Sequence, residues 1–199
     1  MEFKITASVR IKEHSVFLDN RPLFSESSEL PLNEFLKSCY YALDVSWPRF
    51  HKMDILSKLG IIGAELLLKD RNIPQDTALV FSNSSSSLGT DKIHQGTINE
   101  IVSPSIFVYT LPNIVMGEIC IKNKIYGENT FFITEEFDPQ LIAEYSQSLL
   151  SSLAASAIVC GWIEWNNDEY DVFLCLVSRE GDKVFSAENL TALYNFENE

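Results

Sequence analysis

Hydrophobic positions alternate at the start of the chain. Phe3, Ile5, Ala7, Val9 and Ile11 fall on every second residue, which predicts a strand over 3–11 with these side chains on one face. Residues 10–28 are polar and irregular, with a turn at Asp19-Asn20-Arg21-Pro22. The period then becomes helical. Leu32, Phe35, Leu36, Cys39 and Leu43 predict a helix over 32–43. Trp47-Pro48 breaks the pattern, since proline disfavours helix in the residue before it. Met53, Leu56, Leu59, Gly63, Leu66 and Leu67 give a longer helical face ending before Asn72-Ile73-Pro74.

Ala78-Leu79-Val80-Phe81 is wholly apolar between polar clusters, the pattern of a buried parallel strand. The serine-rich stretch 82–90 reads as a flexible loop, and 95–118, punctuated by Pro104 and Pro112, as short helices joined by turns. Residues 118–123 read as helical, with a turn at Tyr126-Gly127. Thr130-Phe131-Phe132-Ile133 predicts another buried strand. Leu141, Ile142, Tyr145, Leu149, Leu150 and Leu153 form a helical stripe. Residues 157–163 and 170–177 read as a hairpin around Asn166-Asn167-Asp168-Glu169, and Ser186 as the cap of a helix over 187–194. Strands separated by helices predict an α/β fold, mostly parallel, with helices on both faces and an antiparallel closing hairpin at the edge.

Composition narrows the function classes. The 199 residues are 46% hydrophobic, suited to one globular domain over 1–199. The formal charge of −13, from 15 basic and 28 acidic residues, argues against nucleic acid and against an anionic membrane surface. No signal peptide, membrane span or lipidation motif is read, so a cytoplasmic protein is expected. Cys39, Cys120, Cys160 and Cys175 are widely spaced and read as free thiols, mostly buried. His14, His51 and His94 have no metal-ligand spacing, so neither metal nor cofactor is expected.

Few residues suggest chemistry. Ser84 to Ser87 lie outside any G-x-S-x-G frame, and Gly89 stands alone without a phosphate-binding glycine pattern. Glu135-Glu136 is a carboxylate pair, but neighbours on extended chain point apart, which reads as a solvated acidic turn. Lys52, Lys58, Lys69 and Arg71 form a modest basic cluster that a solvated helix face explains equally well.

Ser103-Pro104-Ser105-Ile106-Phe107 through Asn113 to Gly117-Glu118-Ile119, followed by Tyr126-Gly127-Glu128-Asn129, resembles the β-ketoacyl synthase family. Trp47 to Asp54, Val80 to Ser86 and Ala157 to Gly161 resemble other family segments in the same order, covering most of 45–165. The resemblance implies the N-terminal thiolase-like half of a condensing enzyme. It also exposes two departures. The family's catalytic cysteine lies nine residues after the glycine of that turn, and here the count from Gly127 reaches Glu136. The second half, with its two catalytic histidines, is not found in these residues. A carboxylate is a poor nucleophile toward a thioester. Glu136 near a helix N-terminus is electrostatically comfortable and is expected to support the helix that follows.

The resemblance therefore implies a non-catalytic, ketosynthase-like protein resembling a chain-length factor, an auxiliary or dimerisation partner in fatty-acid or polyketide-type biosynthesis. In the family, the strand before the nucleophile pairs across a dimer; here that strand is Asn129, Thr130, Phe131, Phe132 and Ile133. A role only in the monomer core stays open for it. Homodimer and heterodimer with a full-length ketosynthase both follow. Acyl carrier protein, itself acidic, is a partner that the charge disfavours. Gly161 to Glu199 are expected to cover the surface that a second half would occupy. Two alternatives stand beside this reading. One is an enzyme of altered chemistry using Glu136 for thioester decarboxylation or hydrolysis. The other is an acyl-chain binder lined by Phe107, Thr110 and Met116, although Phe107 and Met116 equally suit core packing.

Overall fold

The computed structural model describes residues 2–98, 103–167 and 169–196. Eight strands form one mixed sheet. β1 (Lys4–Lys12), β2 (Ser15–Leu18) and β3 (Arg21–Ser25) open the chain. β4 (Ala78–Asn83), β5 (Asn129–Ile133), β6 (Ile158–Asn166), β7 (Glu169–Ser178) and β8 (Lys183–Val184) follow after helical segments. The order across the sheet is β3-β2-β1-β7-β6-β4-β5, with β8 beside β1. Only β4 pairs in parallel, with β5 on one side and β6 on the other. The sheet is thus mixed rather than mostly parallel. The β6–β7 hairpin lies at its centre, not at its edge, because β1 returns to pair with β7.

Two further corrections concern the opening strands. The stretch 10–28, read as irregular, contains the hairpin of β2 and β3. Its two connections are two-residue turns: Glu13-His14 (φ 49° and 55°) and Asp19-Asn20 (φ 51° and 61°). Positive φ at both turn residues matches the right-handed twist of the strands. β1 also carries a register shift between Ile5 and Ala7 against β7. The shift sends Ile5 to one face of the sheet and Ala7, Val9 and Ile11 to the other, so the five alternating residues do not share a face.

The first face is covered by α1 (Leu32–Ala42), α2 (Ile55–Leu68) and α5 (Ile114–Asn123). α2 is buried almost all round, Ser57 and Glu65 included, because α1 and α5 pack it against β1, β6 and β7. The second face is covered by α6 (Pro139–Ser151) and α7 (Ala187–Tyr194). α6 is amphipathic. Ile142, Ala143, Ser146, Leu149 and Leu150 turn inward, and Gln140, Glu144, Gln147, Ser148 and Ser151 face outward. Of the segment from Gly161 onward, α7 packs beside α6, whereas the hairpin builds the sheet itself.

Two short helices, α3 (Leu88–Thr97) and α4 (Pro104–Phe107), precede α5, and a single 3-10 turn spans Phe50–Lys52. Residues 99–102, within the region read as short helices, and Asp168 in the hairpin turn lie outside the described residues. No described helix is long and apolar enough to cross a membrane.

Candidate functional site

In sheets of this kind, ligands and reactive groups gather beyond the carboxyl ends of parallel strands. Here those ends are Asn83 on β4, Ile133 on β5 and the end of β6. The serine run leaving β4 is braced, not flexible. Ser82 belongs to the strand. The Asn83 side chain accepts from Ser86 N–H at 2.9 Å and donates to the Ser86 carbonyl at 2.8 Å. Ser87 Oγ donates to the Thr110 carbonyl at 2.6 Å, fastening the loop to the segment after α4.

Glu164 on β6, not singled out in the sequence, completes this bracing. One of its carboxylate oxygens accepts from Ser84 N–H (2.6 Å), Ser84 Oγ–H (2.7 Å) and Ser85 N–H (3.2 Å). Gly89 lets α3 sit on the Trp165 ring, where a Cβ would come within 2.5 Å of the indole. None of this is legible from spacing, because Glu164 and Ser84 are joined only by the pairing of β4 with β6.

Glu135 and Glu136 follow β5 and are both exposed. The Glu136 carbonyl accepts from Thr134 Oγ at 2.8 Å. The cap of α6 is not Glu136 but Asp138, whose side chain accepts from Leu141 N–H at 3.0 Å, with Pro139 in the first turn. Among the described residues, no group of three or more His, Cys, Asp or Glu could hold a metal ion.

The thiols stand elsewhere. Cys39, Cys160 and Cys175 are buried and Cys120 is half-buried. Burial pushes the thiols of Cys39 and Cys160 up to about 12, and raises those of Cys175 and Cys120 above the ordinary thiol value. A nucleophilic cysteine needs the opposite shift.

The region named for an acyl pocket divides. Met116 is buried in the core. Phe107 is 61% exposed and packs on the His94 ring at 5.4 Å. Thr110 Oγ donates to the Phe107 carbonyl at 2.8 Å. With Leu88, Ile93, Val108 and Leu111 also exposed, α3 and the segment after α4 form an apolar ledge. Buried Glu118 accepts from Trp47 Nε1 at 3.2 Å and from Arg49 at 3.2 Å. The basic residues named from sequence do not act as one patch. Lys58 donates to Asn33, Lys69 pairs with Asp44, and Arg71 caps carbonyls of α2.

β5 is the edge of the sheet and is only partly buried, not the buried strand expected from its sequence. Its register fixes which groups are free. Leu79 N–H donates to the Glu128 carbonyl at 2.8 Å, and Thr134 N–H donates to the Asn83 carbonyl at 3.0 Å. Alternation along the strand then turns Thr130 and Phe132 toward β4. The N–H and C=O of Asn129, Phe131 and Ile133 point to the open edge. Gly127 leads into the strand, and a Cβ there would lie 2.2 Å from the Thr77 carbonyl, so only glycine fits the close approach.

Comparisons with solved structures show a fold shared with ketosynthase and chain length factor chains. The ishigamide ketosynthase/chain length factor matches with a TM-score of 0.64 and 16% identity, over 89% of this chain and 62% of that one. A ketosynthase (ApeO) in complex with its chain length factor (ApeC) from Xenorhabdus doucetiae matches with a TM-score of 0.57 and 12% identity, over 98% of this chain and 90% of the matched one. A type II PKS ketosynthase in complex with its acyl-carrier protein (AntDE:AntF) matches with a TM-score of 0.63 and 12% identity, over 90% and 62%. The chain therefore spans 62% of the length of the first and third of these, and nearly the whole length of the second. No protein-family model and no curated protein matches the sequence.

Proposed function

We propose that this chain is a non-catalytic, ketosynthase-like subunit of acyl-chain biosynthesis that pairs with a ketosynthase through β5, as a chain length factor does. The observation that carries the proposal is the open β5 edge, apolar and free of charge, proline and bulge. Such an edge is costly to leave in water and invites a second strand. Chains described as ketosynthase and chain length factor share the fold, which supports a partner of that class.

The residues around the edge support the non-catalytic half of the reading. The position that the resemblance assigns to the nucleophile is an exposed carboxylate, Glu136, and every cysteine has its thiol pKa raised. The partner then supplies the thiolate and the histidines. The ledge at Phe107 and Thr110 stands beyond the strand ends as the surface that faces the partner's acyl chain. With a formal charge of −13, docking of an acidic carrier protein falls to the partner.

The test is co-expression with the ketosynthase of the same pathway, followed by native mass spectrometry and a thioester turnover assay. A one-to-one complex, and no turnover by this chain alone, are expected. A homodimer that ignores the ketosynthase, or turnover by the isolated chain that is lost in Glu136→Ala, would overturn the reading.

A further inference from the structure

The opposite end of the parallel strands holds a cleft of about 750 Å³, lined by the loop after α2, the residue pair before β6 and the turn after β7. Its volume is that of a small-molecule site. Its walls combine apolar Ile73, Pro74 and Leu176 with two guanidinium groups, Arg71 and Arg179. In a chain with 28 acidic and 15 basic residues, two arginines lining one cleft are a local concentration of positive charge. Two other arginines are neutralised: Arg10 pairs with Asp171 and Arg49 with Glu118. Among the described residues, neither Arg71 nor Arg179 has a carboxylate partner in an ion pair.

The Arg71 side chain and the backbone on either side of Arg179 are anchored. Arg71 donates to the carbonyls of Leu66 and Leu67 at the end of α2 through one nitrogen, Nη1. Arg179 sits between two anchored residues. Ser178 Oγ lies 2.9 Å from Thr6 Oγ and accepts from Glu180 N–H at 3.0 Å, while Thr6 Oγ donates to the Glu180 carbonyl at 2.6 Å. These bonds fix the backbone on each side of Arg179, which lowers the cost of ordering its side chain around a ligand.

We infer that this cleft is a binding site for a small phosphate-bearing ligand with an apolar portion, held by Arg71 and Arg179. A guanidinium matches phosphate geometry in a planar, bidentate fashion, and its charge persists at every physiological pH. Ile73, Pro74 and Leu176 take the apolar part. Glu180, on the same rim, disfavours a second anion and limits the site to one phosphate group. The site lies at the far end of the strands from Glu136 and does not rest on the ketosynthase pairing.

The test uses phenyl phosphate as probe, one phosphate group on an apolar ring, titrated calorimetrically into the full chain at constant ionic strength, with sodium chloride as the control. Saturable binding is expected with phenyl phosphate and none with chloride. Arg179→Gln, at an exposed residue with no ion pair, is expected to weaken binding about tenfold, as loss of a charge-assisted hydrogen bond implies. Arg71→Lys retains the charge near the end of α2 but loses the fork, and is expected to weaken binding as well. Absence of saturable binding, or equal affinity in wild type and Arg179→Gln, would overturn the assignment. Thermal unfolding of each variant separates lost binding from lost fold.

Discussion

The sheet ends in two edges of opposite character. On one side, β3 runs Arg21-Pro22-Leu23-Phe24-Ser25, carries a charge and a proline, and is joined to β2 through a register shift at Val16/Phe17. These are the devices by which proteins discourage strand addition. On the other side, β5 runs Asn129-Thr130-Phe131-Phe132-Ile133 in unbroken parallel register and has none of them. The same fold guards one edge and leaves the other open, and the proposed pairing through β5 rests on that contrast.

The largest effect is expected from proline on the open edge. Ile133 is 53% exposed and its N–H points outward, so Ile133→Pro removes an edge donor without touching the ladder to β4. Association with the ketosynthase should fall at least about 100-fold, or about 2.7 kcal/mol, with thermal stability nearly unchanged. An intermediate effect, roughly tenfold, is expected from the gatekeeping charge in Asn129→Lys, measured by the same binding assay.

Alkylation gives a smaller and more local readout. Cys120 lies beside β5, its thiol 3.5 Å from Asn129 Oδ1. With the thiol pKa raised by burial, only a small thiolate fraction exists at pH 8, so iodoacetamide should label Cys120 slowly. Labelling should slow several-fold further in the complex. Cys39 and Cys160, with pKa values of about 12, should stay unlabelled until the protein unfolds. The smallest effect belongs to the guarded edge. Leu23→Lys on β3 should leave association unchanged and stability within about 0.5 kcal/mol.

How much of this was written in the chain varies with the range of the interaction. The helices α1, α2, α6 and the Ser186-capped α7 follow from local spacing and were legible, although Met53 precedes α2 and Leu153, placed on the α6 stripe, lies past its end and is 74% exposed. The register shift in β1 was not, because it arises only on pairing with β7. Nor was the central place of the β6–β7 hairpin, which needs β1 to return across the sheet. The burial of β5 was overestimated for a related reason: Phe131, Phe132 and Ile133 look the same in sequence whether they fill a core or await a partner. The site divides similarly. Glu136 rests on a count from Gly127 within the family resemblance and belongs to the proposal, whereas the Glu164 brace on Ser84 and Ser85 joins residues 80 apart in sequence through the pairing of β4 with β6.

The most direct test of the β5 account is residue-resolved hydrogen exchange of the chain alone and bound to its ketosynthase. Alone, the amides of Phe131 and Ile133 should exchange fast, and those of Thr130 and Phe132 slowly. In the complex, Phe131 and Ile133 should become protected while Arg21 to Ser25 are unchanged. A complex that forms with the Phe131 and Ile133 amides still exchanging fast would contradict the account.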